Sequence, residues 1–94
     1  MILSFKGKHA KAIGDGKVAK GFPADLVPAT ERKLQMVEDA AVLDDLRSPP
    51  GNRLEALKGN RKGQHSVRIN NQWRICFRWT AAGPEDVEIT DYHA

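Results

Sequence analysis

The run Trp73-Arg74-Ile75-Cys76-Phe77-Arg78-Trp79 alternates large apolar side chains with polar or small ones, without a break. Successive side chains of an extended strand point to opposite faces of a sheet, so this segment reads as a strand with one buried face. Trp73, Ile75, Phe77 and Trp79 are then the core residues, and Arg74, Cys76 and Arg78 occupy the reverse face. Period-two aromatics beside an isoleucine point to packing rather than to base stacking.

The neighbouring segments extend this strand into a meander. Residues 65–69 give a preceding strand with Val67 and Ile69 on one side and Ser66 and Arg68 on the other, and Asn70-Asn71 marks a hairpin turn. Ala82-Gly83-Pro84 signals the next turn, and residues 87–91 the last strand. Residues 53–58 read as a short edge strand and 59–63 as a polar turn.

Upstream, residues 1–5 predict a first strand and 6–13 a brief helix stopped by Gly14-Asp15-Gly16. Residues 17–27 read as a loop. Thr30, Leu34, Val37 and Ala41 form a helical stripe within residues 30–46, with Pro28 at a position the first turn tolerates and Ser48-Pro49-Pro50-Gly51 as the stop. The expected fold is α+β: two N-terminal helices packed on one face of a small, mainly antiparallel twisted sheet, in a single domain over residues 1–94.

Charge is segregated along the chain. Residues 53–78 hold seven Lys or Arg against the single acid Glu55, whereas residues 79–94 hold four acids and no Lys or Arg. A net charge of +3 is small, but packing +6 into one stretch favours a polyanionic partner through phosphate neutralisation. Arg68, Arg74 and Arg78 would crowd one sheet face, where like charges repel unless an anion lies across them. Their guanidinium forks suit phosphate, as do Arg61 and Lys62 at the polar turn. Pairing with Glu85, Asp86 or Glu88 is the structural alternative.

The single cysteine, Cys76, rules out an intramolecular disulfide and a Cys-rich zinc site, and its place in the strand marks it as a buried, inert thiol. His9 and His65 lack carboxylate or thiol neighbours at ligand spacing, so neither a metal nor a cofactor is expected; His9 reads as a surface residue of the first helix. No run approaches the ~18 apolar residues of a membrane span, and no secretory h-region opens the chain, so a cytoplasmic protein is expected.

Asp91-Tyr92-His93 places three proton-handling groups at the end of the last strand. RNA cleavage by 2′-hydroxyl attack needs a base for that hydroxyl, cations around the phosphate and an acid for the leaving oxygen. His93 can serve either proton role near neutrality, Tyr92 can donate a hydrogen bond or stack on a base, and Asp91 can orient a neighbour.

The set Asn52-Arg53-Leu54-Glu55-Ala56-Leu57-Lys58-Gly59, Gln64-His65-Ser66-Val67-Arg68-Ile69, Gln72-Trp73-Arg74-Ile75 and Asp91-Tyr92-His93 resembles the HigB family, small toxins of the RelE superfamily. The resemblance covers roughly residues 30–93. It implies a RelE-like toxin that enters the ribosomal A site and cleaves translated mRNA. It also implies a helix-turn-helix antitoxin of the HigA type that neutralises the toxin and, with it, represses their own operon, so that operator DNA is met only through the complex. Asp91, Tyr92 and His93 match the family's C-terminal active-site residues, and Lys58 matches a basic residue there. Some members carry a catalytic His where this chain has Glu55, which could act as a base or repel phosphate. The expectation is therefore a metal-independent mRNA endoribonuclease. A non-catalytic module that binds RNA, the ribosome or the antitoxin–DNA complex is the alternative.

Overall fold

The computed structural model describes residues 1–91. Helix α1 spans Lys8–Gly14 and helix α2 Val27–Asp39, followed by strands β1 (Glu55–Ala56), β2 (His65–Arg68), β3 (Trp73–Thr80) and β4 (Gly83–Asp91). The four strands form one antiparallel sheet in the order β1-β2-β3-β4. Both helices precede the sheet and pack on one of its faces, which is the α+β arrangement the sequence predicts.

That face is the alternating pattern made physical. Val67 of β2, Ile75 and Phe77 of β3 and Val87 of β4 are all 0% exposed, and they meet Ala10 and Ile13 of α1 and Leu34 and Val37 of α2. Trp73 is buried, while Trp79 is only partly buried and packs at the margin. Cys76, on the reverse face, is fully buried as well, and burial pushes its thiol up to about 11. A thiol held so far above neutrality is inert.

Several boundaries differ from the sequence reading. Residues 1–5 form no ladder: Phe5 makes one parallel bridge to Val87, and backbone bonds join Leu3 to Pro84 and Lys6 to Val87 at 2.8 and 2.9 Å. The segment thus runs along the outer edge of β4. Gly83 makes the approach possible, because a Cβ there would stand 2.5 Å from the Met1 carbonyl oxygen.

The second helix ends at Asp39, not at residue 46, and a 3₁₀ turn over Leu43–Arg47 follows. Ala40 turns extended (ψ 126°), and Asp45 Oδ2 accepts the amide N–H groups of Ala41 and Val42 at 2.9 and 3.2 Å. That local carboxylate gives the backbone an alternative to continuing the helix.

The edge strand shrinks to the two residues Glu55–Ala56. Strand β4 is longer than expected and begins at Gly83 because a bulge absorbs an extra residue. The pairing steps from Cys76↔Glu88 to Arg78↔Glu85, with Asp86 at φ 52°.

Candidate RNA-cleavage site on the open sheet face

The face away from the helices is organised in cross-strand rows. Glu55 pairs with Ser66, Ser66 with Cys76, and Cys76 with Glu88; the next row runs Arg68–Arg74–Thr90. Directly opposed residues in a sheet have Cβ atoms about 4.5–5.5 Å apart, so the register sets Arg68 and Arg74 side by side. Ser66 Oγ accepts a hydrogen bond from Arg74 Nη1 at 2.9 Å, and Arg68 Nη2 donates to Asn71 Oδ1 in the β2–β3 turn. Both residues are half-buried, and each donates a hydrogen bond to a neutral side chain.

Arg61 takes a different position. Its Nη1 lies 3.1 Å from Glu88 Oε1 and 3.2 Å from Gln64 Oε1, with 29% of its side chain exposed, so its charge is committed across the sheet to Glu88. The expected pairing of the last strand's acids with arginine therefore occurs, through the turn arginine. Arg78 is exposed and lies over Gly63, where a Cβ would come within 2.6 Å of Nη1. Lys62 is exposed on the same turn.

Glu55 and Lys58 lie at the free edge of the sheet and, with Ala56 and Leu57, line a shallow depression. Both are exposed. Asp91 stands opposite Trp73 at the end of β4, and its Oδ2 accepts from Gln72 Nε2 at 3.0 Å. The structure thus gathers Arg68 and Arg74 in one row, sets Glu55 and Lys58 along the edge, and ends β4 beside the turn that carries Gln72. Tyr92 and His93, the residues expected to handle protons, lie outside the described residues.

Sequence reasoning missed the turn's part in this. Asn70 Oδ1 accepts the amide N–H groups of Gln72 and Trp73 at 2.8 and 2.7 Å, an Asx turn that orients Gln72 toward Asp91. The Asn70-Asn71 signal could have disclosed it. His9 corrects the surface assignment: its ring lies 5.5 Å from Phe22 and 5.6 Å from Trp73, and burial first, then the Lys8 charge, holds its pKa below the usual value. His65 stacks on Phe77 at 6.5 Å on the core side, while the adjacent Ser66 points to the open face, so the two form no dyad. Among the described residues no group of three His, Cys, Asp or Glu could hold a metal ion.

The family model described as the RelE-like toxin of the type II toxin–antitoxin system HigB matches residues 3–93. The chain belongs to the HigB family. Toxin HigB-1 of Vibrio cholerae is 42% identical over 80 residues, covering 84% of each chain. Endoribonuclease HigB of Proteus vulgaris is 32% identical over 93 residues, covering 99% of this chain and all of the relative. An uncharacterized protein of Haemophilus influenzae is 34% identical over 64 residues, 68% of this chain and 63% of the relative. As a HigB-family member the chain is a toxin of a type II system and has an antitoxin as its partner. No described helix is long and apolar enough to cross a membrane.

Proposed function

We propose that this HigB-family toxin is an mRNA endoribonuclease that works in the cytoplasm on the translating ribosome and is silenced by a HigA-type helix-turn-helix antitoxin. The endoribonuclease class rests on family membership and on the Proteus relative of that name, which aligns over essentially the whole chain. The observation that carries the reading to this chain is the Arg68–Arg74 row, two fixed cations on an open sheet face. Such a row suits a phosphodiester backbone, whose phosphates the planar guanidinium forks can meet.

In the proposed reaction the 2′-oxygen attacks the adjacent phosphorus while the bond to the 5′-oxygen breaks. One group removes the 2′-proton and another protonates the departing oxygen. His93 serves as general acid or base, Tyr92 and Asp91 position it or the base, and Lys58, Arg68 and Arg74 hold the charge that builds on the phosphoryl oxygens. Arg78 and Lys62 add to the positive approach, and Arg61 joins them when Glu88 releases it. Glu55, at the sheet edge, competes with His93 for the base role; the preferred reading is that its charge only opposes phosphate. The chemistry so written needs only side-chain proton transfer. Operator DNA is reached through the antitoxin in the complex.

Inducible expression with primer-extension mapping of cellular transcripts tests the reading. Discrete cuts within translated regions, absent when the antitoxin is co-expressed, are the expected result. Growth arrest with intact transcripts would replace it with inhibition by occupancy.

A further inference from the structure

Lys33 of α2 is a half-buried cation whose ammonium donates to Oδ1 of Asn52, a neutral amide, and no described carboxylate pairs with it. Asn52 is fully buried and fixed on its other side, with Nδ2 donating to the carbonyl oxygens of Leu46 at 3.2 Å and Ser48 at 3.3 Å, and lying 3.7 Å from Met36 Sδ. The fold therefore aims Lys33, leaving N–H donors that no described residue accepts.

The charges around it are of one sign. Burial lowers the pKa of Lys33, and the nearby guanidinium groups of Arg32 and Arg68 lower it further. Arg32 is exposed, and Arg68 donates to the neutral Asn71. A partly desolvated cation normally finds a counter-charge, and cations gathered without one repel. An anion between them would relieve that repulsion. Arg68 also stands opposite Arg74, so the cation that acts on Lys33 is itself part of the sheet-face row.

We propose that Arg32 and Lys33 form a second phosphate-binding site, on α2, which grips the RNA backbone beside the scissile phosphate that Arg68 and Arg74 hold. The inference rests on the RNA reading above and extends it to a helix that reading does not use. The ligand is an RNA phosphodiester, supplied either by the mRNA or by the ribosome's own RNA. An acidic protein segment is the competing occupant; the link through Arg68 to the sheet-face row favours RNA.

The test measures binding of the full chain to a 2′-O-methylated single-stranded RNA, which cannot be cut by 2′-oxygen attack, and to vacant ribosomes. Each series runs over a range of salt concentrations. Arg32→Gln leaves the Asn52 contact alone, and Lys33→Gln removes the charge while keeping a polar side chain. Each lost phosphate contact should lower the slope of log affinity against log salt by roughly 0.7 on single strands. Cleavage of unmodified mRNA on ribosomes should survive, and Arg32→Gln should melt no lower than the parent at low salt. Loss on the single strand alone assigns the phosphate to mRNA, loss on vacant ribosomes alone to ribosomal RNA, and loss on both to either backbone; each supports the site. Unchanged slopes on both, or weakened binding to polyglutamate with RNA binding intact, would overturn it. A parent protein that neither binds nor cuts RNA would instead overturn the RNA reading itself, and this site with it.

Discussion

Gln72 Nε2 and Asp91 Oδ2 lie 3.0 Å apart, joining the β2–β3 turn to the last strand immediately before Tyr92 and His93. The contact is exposed, so its contribution to stability is small, but it fixes the carboxylate from which the chain enters its expected catalytic end. Asn70 fixes Gln72 in turn through the two amide bonds of the Asx turn.

Gln72→Ala should therefore slow cleavage without weakening ribosome binding. A hydrogen bond of this type contributes about 0.5–1.5 kcal/mol, which corresponds to at most about a tenfold fall in rate. Single-turnover cleavage at saturating toxin reads the effect. An unchanged rate would show that the turn places nothing of consequence.

Phe77→Ala should destabilise the fold outright. The ring is 0% exposed between the helices and the sheet, and emptying such a site costs on the order of 3–5 kcal/mol against a typical total of about 5–15. Urea unfolding checks it. A stable variant that has lost only RNA binding would move Phe77 from the core to base stacking.

Acidification should weaken the packing around His9. Its folded-state pKa lies below the ordinary 6.5, so the folded chain favours the neutral ring that Phe22 and Trp73 enclose. Stability is then complete above pH 6.5 and declines as pH falls through the window below it, because the unfolded chain takes up the proton first. Against His9→Gln, which lacks this titration, the parent should lose relative stability between pH 7.5 and 5. Parallel stability curves for the two proteins would contradict the packing role.

Glu55→Gln should tighten RNA binding and leave cleavage in place, since Glu55 is an exposed acid beside Lys58 at the sheet edge. An exposed carboxylate at the sheet edge adds negative charge where backbone phosphates approach, and the swap removes that charge at nearly constant size. Binding kinetics and cleavage kinetics on programmed ribosomes separate the two effects. Loss of the chemical step at full binding would assign Glu55 the base.

How much of this was legible in the sequence depended on the range of the forces involved. The Trp73–Trp79 alternation disclosed β3 and its buried face because period-two burial is written residue by residue. The helix end at Asp39 was hidden: residues 41–46 keep a helical pattern, and only the Asp45 side chain, taking two amides, breaks it. The arginine face was legible as charge, but its partners were not. Arg61 reaches Glu88 and Lys33 reaches Asn52 over separations of 27 and 19 residues, contacts set by the tertiary fold. The bulge at Asp86 was equally silent, since an isolated left-handed aspartate has no pattern around it.

The central claim, that this HigB-family chain cuts mRNA with His93 as its proton carrier, is tested most directly by cleavage kinetics on programmed ribosomes, comparing the parent with His93→Ala. The account predicts discrete cleavage by the parent and a rate about 10²–10⁴-fold lower for the variant, at equal ribosome affinity and equal thermal stability. Cleavage by folded His93→Ala at the parental rate would contradict it.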